Sequence, residues 1–266
     1  MHVPYPNVYR PLFAGADQGE AVLAYIRMLF ERNLPPQEVA AILVEPIQGE
    51  GGYLVPPADF LAGLRSICDE HGILLIFDEV QCGVGRTGRM FAAEHDSVAP
   101  DIMTLAKGLG SGLPIGAMVA KRRIMEQWKR GAHGNTYGGN PLACAAANAT
   151  LDLVNGGMAA NAAAVGTHFT GRLRELAREF PCIGDVRGRG LMIGIELIET
   201  GPDRVPARDL CQKVIERAFH NGLLLLSCGL STVRFMPPLN VNAAQVDEAV
   251  GLLRTSLSEA LNLVGK

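Results

Sequence analysis

Several signatures are missing from this sequence. No apolar run approaches the roughly 18 residues that a membrane-spanning helix needs; residues 72–77 are among the longest. No basic region followed by an apolar run opens the chain, so no signal peptide is visible. The six cysteines are scattered and form no Cys-x-x-Cys pair, which reads as reduced, mostly structural thiols of a cytoplasmic protein. No two histidines have zinc spacing, so no metal site is expected. A Gly-x-Ser-x-Gly elbow is also absent, and with it the usual signature of a serine hydrolase. Charge of one sign is lacking too: the net charge is −3 with no basic stripe, which argues against nucleic acid or an anionic membrane as partner. Internal repeats and low-complexity tracts are not found.

What remains is an enzyme-sized α/β chain of 266 residues, 48% hydrophobic and rich in glycine. Short apolar runs at 40–44, 73–77, 102–106 and 115–120 alternate with helical stripes. That alternation predicts a parallel or mixed sheet covered on both faces. Ligands of such sheets sit beyond the carboxyl ends of the strands, where the first three runs end in Glu45, Asp78 and Lys107. A helix is expected from Asn140-Pro141 to about residue 154, and a boundary near Gly156-Gly157. Beyond it a strand at 191–197, a helix at 208–219, strands at 223–227 and 232–236 and a last helix opened by an Asn242/Gln245 capping box suggest a small α+β domain.

Gly83-Val-Gly85-Arg-Thr-Gly88 has the spacing of a dinucleotide loop, but five residues separate it from its strand and the next strand ends in a lysine. It reads better as a flexible glycine loop beside a site. Cys82 has no histidine near it in sequence and reads as structural. Lys107 is sharper. It follows a buried strand and precedes Gly108-Leu-Gly110-Ser-Gly112, where desolvation would leave a nucleophilic amine. Asp78 ends the neighbouring strand and Gln81 lies three residues on. An amine, a buried acid and an amide in one crevice fit a pyridoxal phosphate site: the amine holds the cofactor, the acid keeps its ring nitrogen protonated and the amide bonds the ring oxygen.

The stretches VEPIQGEGG (44–52), IFDEVQCGVGRTG (76–88), PDIMTLAKGLGSGLPIGAM (100–118), GNTYGGNPLAC (134–144) and VRFMPPLN (233–240) carry a resemblance over nearly the whole chain. Together they resemble the class III, or omega, aminotransferases of pyridoxal phosphate fold type I, in particular the 4-aminobutyrate and acetylornithine group. The resemblance implies that 1–156 is the C-terminal part of the large cofactor-binding domain and 157–266 the small C-terminal α+β domain. It implies that Lys107 is the catalytic, cofactor-carrying lysine, that Asp78 partners the pyridine nitrogen, that Val80 packs on the ring and that Gln81 lies near the ring hydroxyl. Thr136 would reach the cofactor phosphate of a neighbouring subunit in a homodimer with a shared site, and Glu50 and Arg234 would manage the carboxylate of a 2-oxo acid. Glu45 lies near the site with no role assigned. The implied reaction moves an amino group from an omega-amino acid or related amine to 2-oxoglutarate. A racemase or mutase of the same family, a non-catalytic oligomerisation module and a cofactor-free Schiff-base lyase are the alternatives. Nothing before residue 40 matches the family's N-terminal phosphate loop, so the chain alone is expected to bind the cofactor weakly or not at all, to show no measurable aminotransferase activity and to associate or aggregate.

Overall fold

The computed structural model describes residues 1–201 and 203–264. They fall into two compact units. The first holds Met1–Ile47, Pro56–Gly85 and Arg89–Gly157. The second runs from Met158 onward and also takes Gln48–Val55 and Arg86–Gly88.

The first unit carries helix α1 (Gln18–Arg32), strand β1 (Ala41–Val44), α2 (Phe60–His71), β2 (Leu74–Asp78), β3 (Ile102–Leu105), β4 (Ala117–Ala120), α3 (Arg122–Met125) and α4 (Pro141–Leu153). Its sheet has the order β1-β2-β3-β4. The first three strands are parallel and β4 is antiparallel to β3. Local chemistry sets the helix ends. Asp17 caps α1 by accepting from the Glu20 N–H at 3.0 Å, Gly72 closes α2 in the left-handed region at φ 69°, and Asn140 caps α4 by accepting from the Ala143 N–H at 2.9 Å. The core brings Val22, Leu23 and Ile26 of α1 and Phe60, Leu61, Leu64 and Ile67 of α2 onto Leu75 and Phe77 of β2. Each of these side chains stabilises the fold by about 1.5–3 kcal/mol through burial. The expected cover on both sheet faces is not found: Leu43 is 64% exposed and Val119 55%. Both lie on edge strands, where fewer neighbours pack.

The second unit comprises α5 (Ala159–Glu179), β5 (Ile183–Arg189), β6 (Met192–Leu197), α6 (Arg208–His220), β7 (Leu226–Cys228), β8 (Thr232–Phe235) and α7 (Ala243–Val264). An antiparallel sheet of order β5-β6-β8-β7 shares one core with the three helices, drawn from Phe169, Leu173, Ile195, Val214, Val250 and Leu257 among others. The capping box at the start of α7 is present: the Asn242 N–H donates to Gln245 Oε1 at 3.1 Å and the Gln245 N–H to Asn242 Oδ1 at 2.9 Å. Two strand readings need correction. The strand expected at 223–227 lies at Leu226–Cys228, and β5 had no apolar signature because its interior reads Gly-Asp-Val-Arg-Gly. Ion pairs hold β5 in place of apolar alternation: Arg187 Nη1 lies 2.8 Å from Asp185 Oδ2 and 2.7 Å from Glu196 Oε2 of β6.

Candidate active site

In the first unit, the carboxyl ends of β2 and β3 set the site. Register pairs Asp78, the last residue of β2, with Thr104, three residues before Lys107. Asp78 is half-buried, on the same face as Leu74 and Ile76, and its Oδ1 accepts from the Val80 N–H at 2.9 Å. The buried acid that sequence reasoning expected at Asp78 is instead its neighbour. Glu79 is only 1% exposed. Its Oε2 accepts from the Ala92 N–H at 2.9 Å and its Oε1 from the Ala93 N–H at 2.8 Å, at the first turn of a short 3-10 helix, Ala92–His95. The Cys82 thiol lies 3.4 Å from Glu79 Oε2. Burial pushes the Glu79 carboxyl above its usual range, while the two amide bonds pull it back. Burial and the adjacent Glu79 charge also raise the Cys82 thiol well above its ordinary value. Cys82 therefore stays protonated, in line with its structural reading.

Val80 is half-buried and Gln81 buried on the same turn. The glycine segment that follows is largely buried. Residues 81–85 are buried, and a Cβ on Gly83 would meet the Glu79 carbonyl oxygen at 2.7 Å, so only glycine fits this close approach.

Lys107 begins a 3-10 turn, Lys107–Gly110, beyond β3. Its φ of 43° is a left-handed conformation that non-glycine residues rarely adopt, the kind of local strain that persists where the surroundings impose it. The desolvation expected of Lys107 is absent, because the residue is exposed. It lines a cavity of about 580 Å³ together with Leu113, Ile115, Asn135, Tyr137 and Asn140. Ser111, also in the left-handed region at φ 44°, ties this loop to α4 through a 2.9 Å hydroxyl contact with Thr150. Thr136 is exposed and sits between two of the lining residues. Glu45, half-buried after β1, presents its carbonyl to the Tyr5 hydroxyl at 3.1 Å.

Glu50 and Arg234 meet in the second unit. Glu50 lies on a tight loop closed by paired backbone bonds between Gln48 and Leu54, of 3.0 and 3.1 Å. Two further bonds pin that loop: the Gly229 N–H donates to the Glu50 carbonyl at 2.8 Å, and Arg187 Nε to the Gly52 carbonyl at 2.9 Å. Arg234 stands on β8 opposite Gly194, and its Nη1 donates to Glu50 Oε1. Burial works against the Arg234 charge, but the Glu50 bond and charge prevail and raise its pKa. Tyr53, fully buried at φ 56°, lies against the same guanidinium without completing a hydrogen bond, and burial raises its phenol. Sequence reasoning missed Glu79, Asn135, Tyr137 and Tyr53. The first three stand inside the motifs, next to residues that were singled out, and Tyr53 directly follows the motif at 44–52.

Residues 1–257 match the family Aminotransferase class-III. The chain belongs to this family. It is 43% identical over 248 residues to the 5-aminovalerate aminotransferase DavT of Pseudomonas aeruginosa, covering 92% of this chain and 58% of that protein. It is 39% identical over 262 residues to the leucine/methionine racemase of Thermococcus litoralis, covering 97% and 59%. Among solved structures, an amine transaminase from an uncultivated Pseudomonas species in its PLP-bound form superposes with a TM-score of 0.88 at 37% identity, covering 97% of this chain and 61% of that one. The class III chain thus has the fold of pyridoxal-phosphate transaminases, fold type I, and spans about six-tenths of the length of the curated relatives it matches.

Proposed function

We propose that this class III chain works in a pyridoxal-phosphate-dependent aminotransferase that moves an amino group from an omega-amino acid or related amine to 2-oxoglutarate. The observation that carries the reading is the amine of Lys107 and the carboxylate of Asp78 at the carboxyl ends of adjacent parallel strands, with Lys107 lining a cavity. The donor set suits the cofactor: a primary amine for its aldehyde, a carboxylate for its ring nitrogen and the Gln81 carboxamide for its ring oxygen. When bound, pyridoxal phosphate supplies an electron sink for the carbanion formed at the substrate carbon. Lys107 would hold the cofactor through its amine, and its Nζ would carry the proton to and from the substrate carbon. Asp78 keeps the ring nitrogen protonated through charge, and Val80 packs on the ring. Thr136 serves the phosphate of a second subunit, which makes the working unit a homodimer. Glu50 neutralises Arg234 when the substrate has no alpha-carboxylate, and yields it when a 2-oxo acid binds. In this reading the first unit is the C-terminal part of the large cofactor-binding domain and the second is the small domain.

Borohydride reduction with added pyridoxal phosphate tests the assignment. The label is expected on Lys107, and the Lys107→Ala variant is expected to take none; label on another lysine sinks it. A racemase is the second reading, favoured by the 39% identity to the leucine/methionine racemase. Loss of optical activity from one amino acid enantiomer, without any 2-oxo acid present, would select it.

A further inference from the structure

We propose that Glu79 is the positioning residue of the cofactor turn, a role that rests on the aminotransferase reading of Asp78. Both carboxylate oxygens of Glu79 are committed, one to the Ala92 N–H at 2.9 Å and one to the Ala93 N–H at 2.8 Å, and the Cys82 thiol adds a contact at 3.4 Å. These bonds cross from the end of β2 to a turn 13 and 14 residues further along the chain. The backbone of Glu79 is fixed as well: its N–H donates to the Thr104 carbonyl at 3.0 Å and its carbonyl accepts from the Gly83 N–H at 2.9 Å. Residue 79 is therefore a clamped post inside the 78–83 turn. Asp78 hangs on one side of it, oriented by the Val80 N–H at 2.9 Å, and Gln81 on the other. A carboxylate so deep without a cation is costly. Two charge-assisted amide bonds at a helix start offset that cost only in this geometry, so the acid selects one conformation of the turn.

Glu79→Gln keeps the shape but sets an NH₂ against an N–H donor, so one of the two amides loses its acceptor. Hydrogen exchange without cofactor reads the consequence on β2 and its turn. The Val80 amide, whose bond reports how Asp78 points, is expected to exchange roughly ten- to hundredfold faster. The Leu75 amide, bonded to Asp101 at 2.9 Å at the other end of the same strand, is expected to stay within about twofold. Cofactor affinity is expected to fall about tenfold. Glu79→Asp, one methylene too short to reach both amides, moves Val80 the same way and serves if the amide variant does not fold. Equal acceleration of Val80 and Leu75 means a merely structural acid and overturns the inference, as does an unchanged Val80. Accelerated Val80 exchange with unchanged cofactor affinity also overturns it. If borohydride reduction still fixes cofactor covalently on Lys107→Ala, the aminotransferase assignment fails, and the Val80-to-Leu75 contrast still decides whether Glu79 sets the turn.

Discussion

At the amino-terminal edge of β2 and β3, the Asp101 carboxylate is 2% exposed and surrounded by cations: Arg65 Nη1 at 2.8 Å, Lys121 Nζ at 2.8 Å and Arg123 Nη2 at 2.9 Å, with the Leu75 N–H at 2.9 Å. At the carboxyl edge of the same two strands, Asp78 accepts from a single amide and Lys107 lines a cavity. Neither is in an ion pair among the described residues. One edge spends its charges on ion pairs within the fold, and the other holds an acid and an amine outside any ion pair. A ligand site needs the second condition, since charges already paired inside the protein contribute little to a substrate. The contrast supports the proposed site at the carboxyl edge on physical grounds, independently of the motif.

The sharpest way to break that contrast is to change an acid at each end. Asp78→Asn is expected to slow turnover by several orders of magnitude, since a neutral amide cannot hold a proton on the ring nitrogen by charge; removing such a group costs about 3–5 kcal/mol of transition-state stabilisation. Its unfolding free energy from urea titration is expected to stay within about 0.5 kcal/mol of the parent. Near-normal turnover by Asp78→Asn counts against its role. Asp101→Asn is expected to do the reverse. It leaves Arg65, 17% exposed, without its buried counter-charge and costs about 3 kcal/mol of stability, with activity per folded molecule unchanged. Lys121 and Arg123 are more exposed and add little to that figure.

Acid titration sharpens the same comparison at smaller cost. Burial alone would raise the Asp101 carboxyl, but its bonds to Lys121, Leu75 and Arg65 outweigh burial and hold it far below the usual carboxylate range. A group whose pKa is lowered on folding stabilises fully above its unfolded value, about 3.9, and loses that stabilisation as pH falls through and below it. Glu79 has the opposite sign: its pKa is raised, so its ionisation costs stability as pH rises from about 4.3 toward its folded value. Urea unfolding from about pH 2 to 7 is expected to show a shallower acid limb in Asp101→Asn than in the parent. An identical limb would mean that the three cations do not act through Asp101.

Much of this was legible in the sequence, for identifiable reasons. The strand ends at Asp78 and Lys107 stood out because mostly apolar runs stop there at charged residues. The helix starts at Asn140 and Asn242 stood out because few residue types suit the first position of a helix. Burial within the motif was not legible: Asp78 and Glu79 are adjacent, and only the pleat of β2 and the approach of residues 92–93 decide which is inside. Strand β5 was missed because Arg187 and its acids hold it by charge. The transfer of 48–55 to the second unit was illegible too, since it depends on bonds from Gly229 and Arg187 some 130 or more residues away.

The smallest expected effect concerns the second unit, where charge is neither locked like Asp101 nor uncommitted like Lys107. Glu50 is 67% exposed and Arg234 17%, so the pair has one wet partner that can leave and one sheltered partner that must remain charged. That asymmetry is what a switch requires: the arginine stays on its strand between β6 and β7, and the glutamate on its loop moves. Without Glu50, an amine substrate lacking an alpha-carboxylate meets an uncompensated guanidinium, whereas the alpha-carboxylate of a 2-oxo acid supplies the missing charge itself. Glu50→Gln is therefore expected to slow the omega-amine half-reaction roughly tenfold and the 2-oxoglutarate half by less than about threefold. Single-turnover kinetics of each half separates the two. Equal loss in both halves would show that Glu50 merely supports the loop, and would leave Arg234 a fixed carboxylate site with no switch.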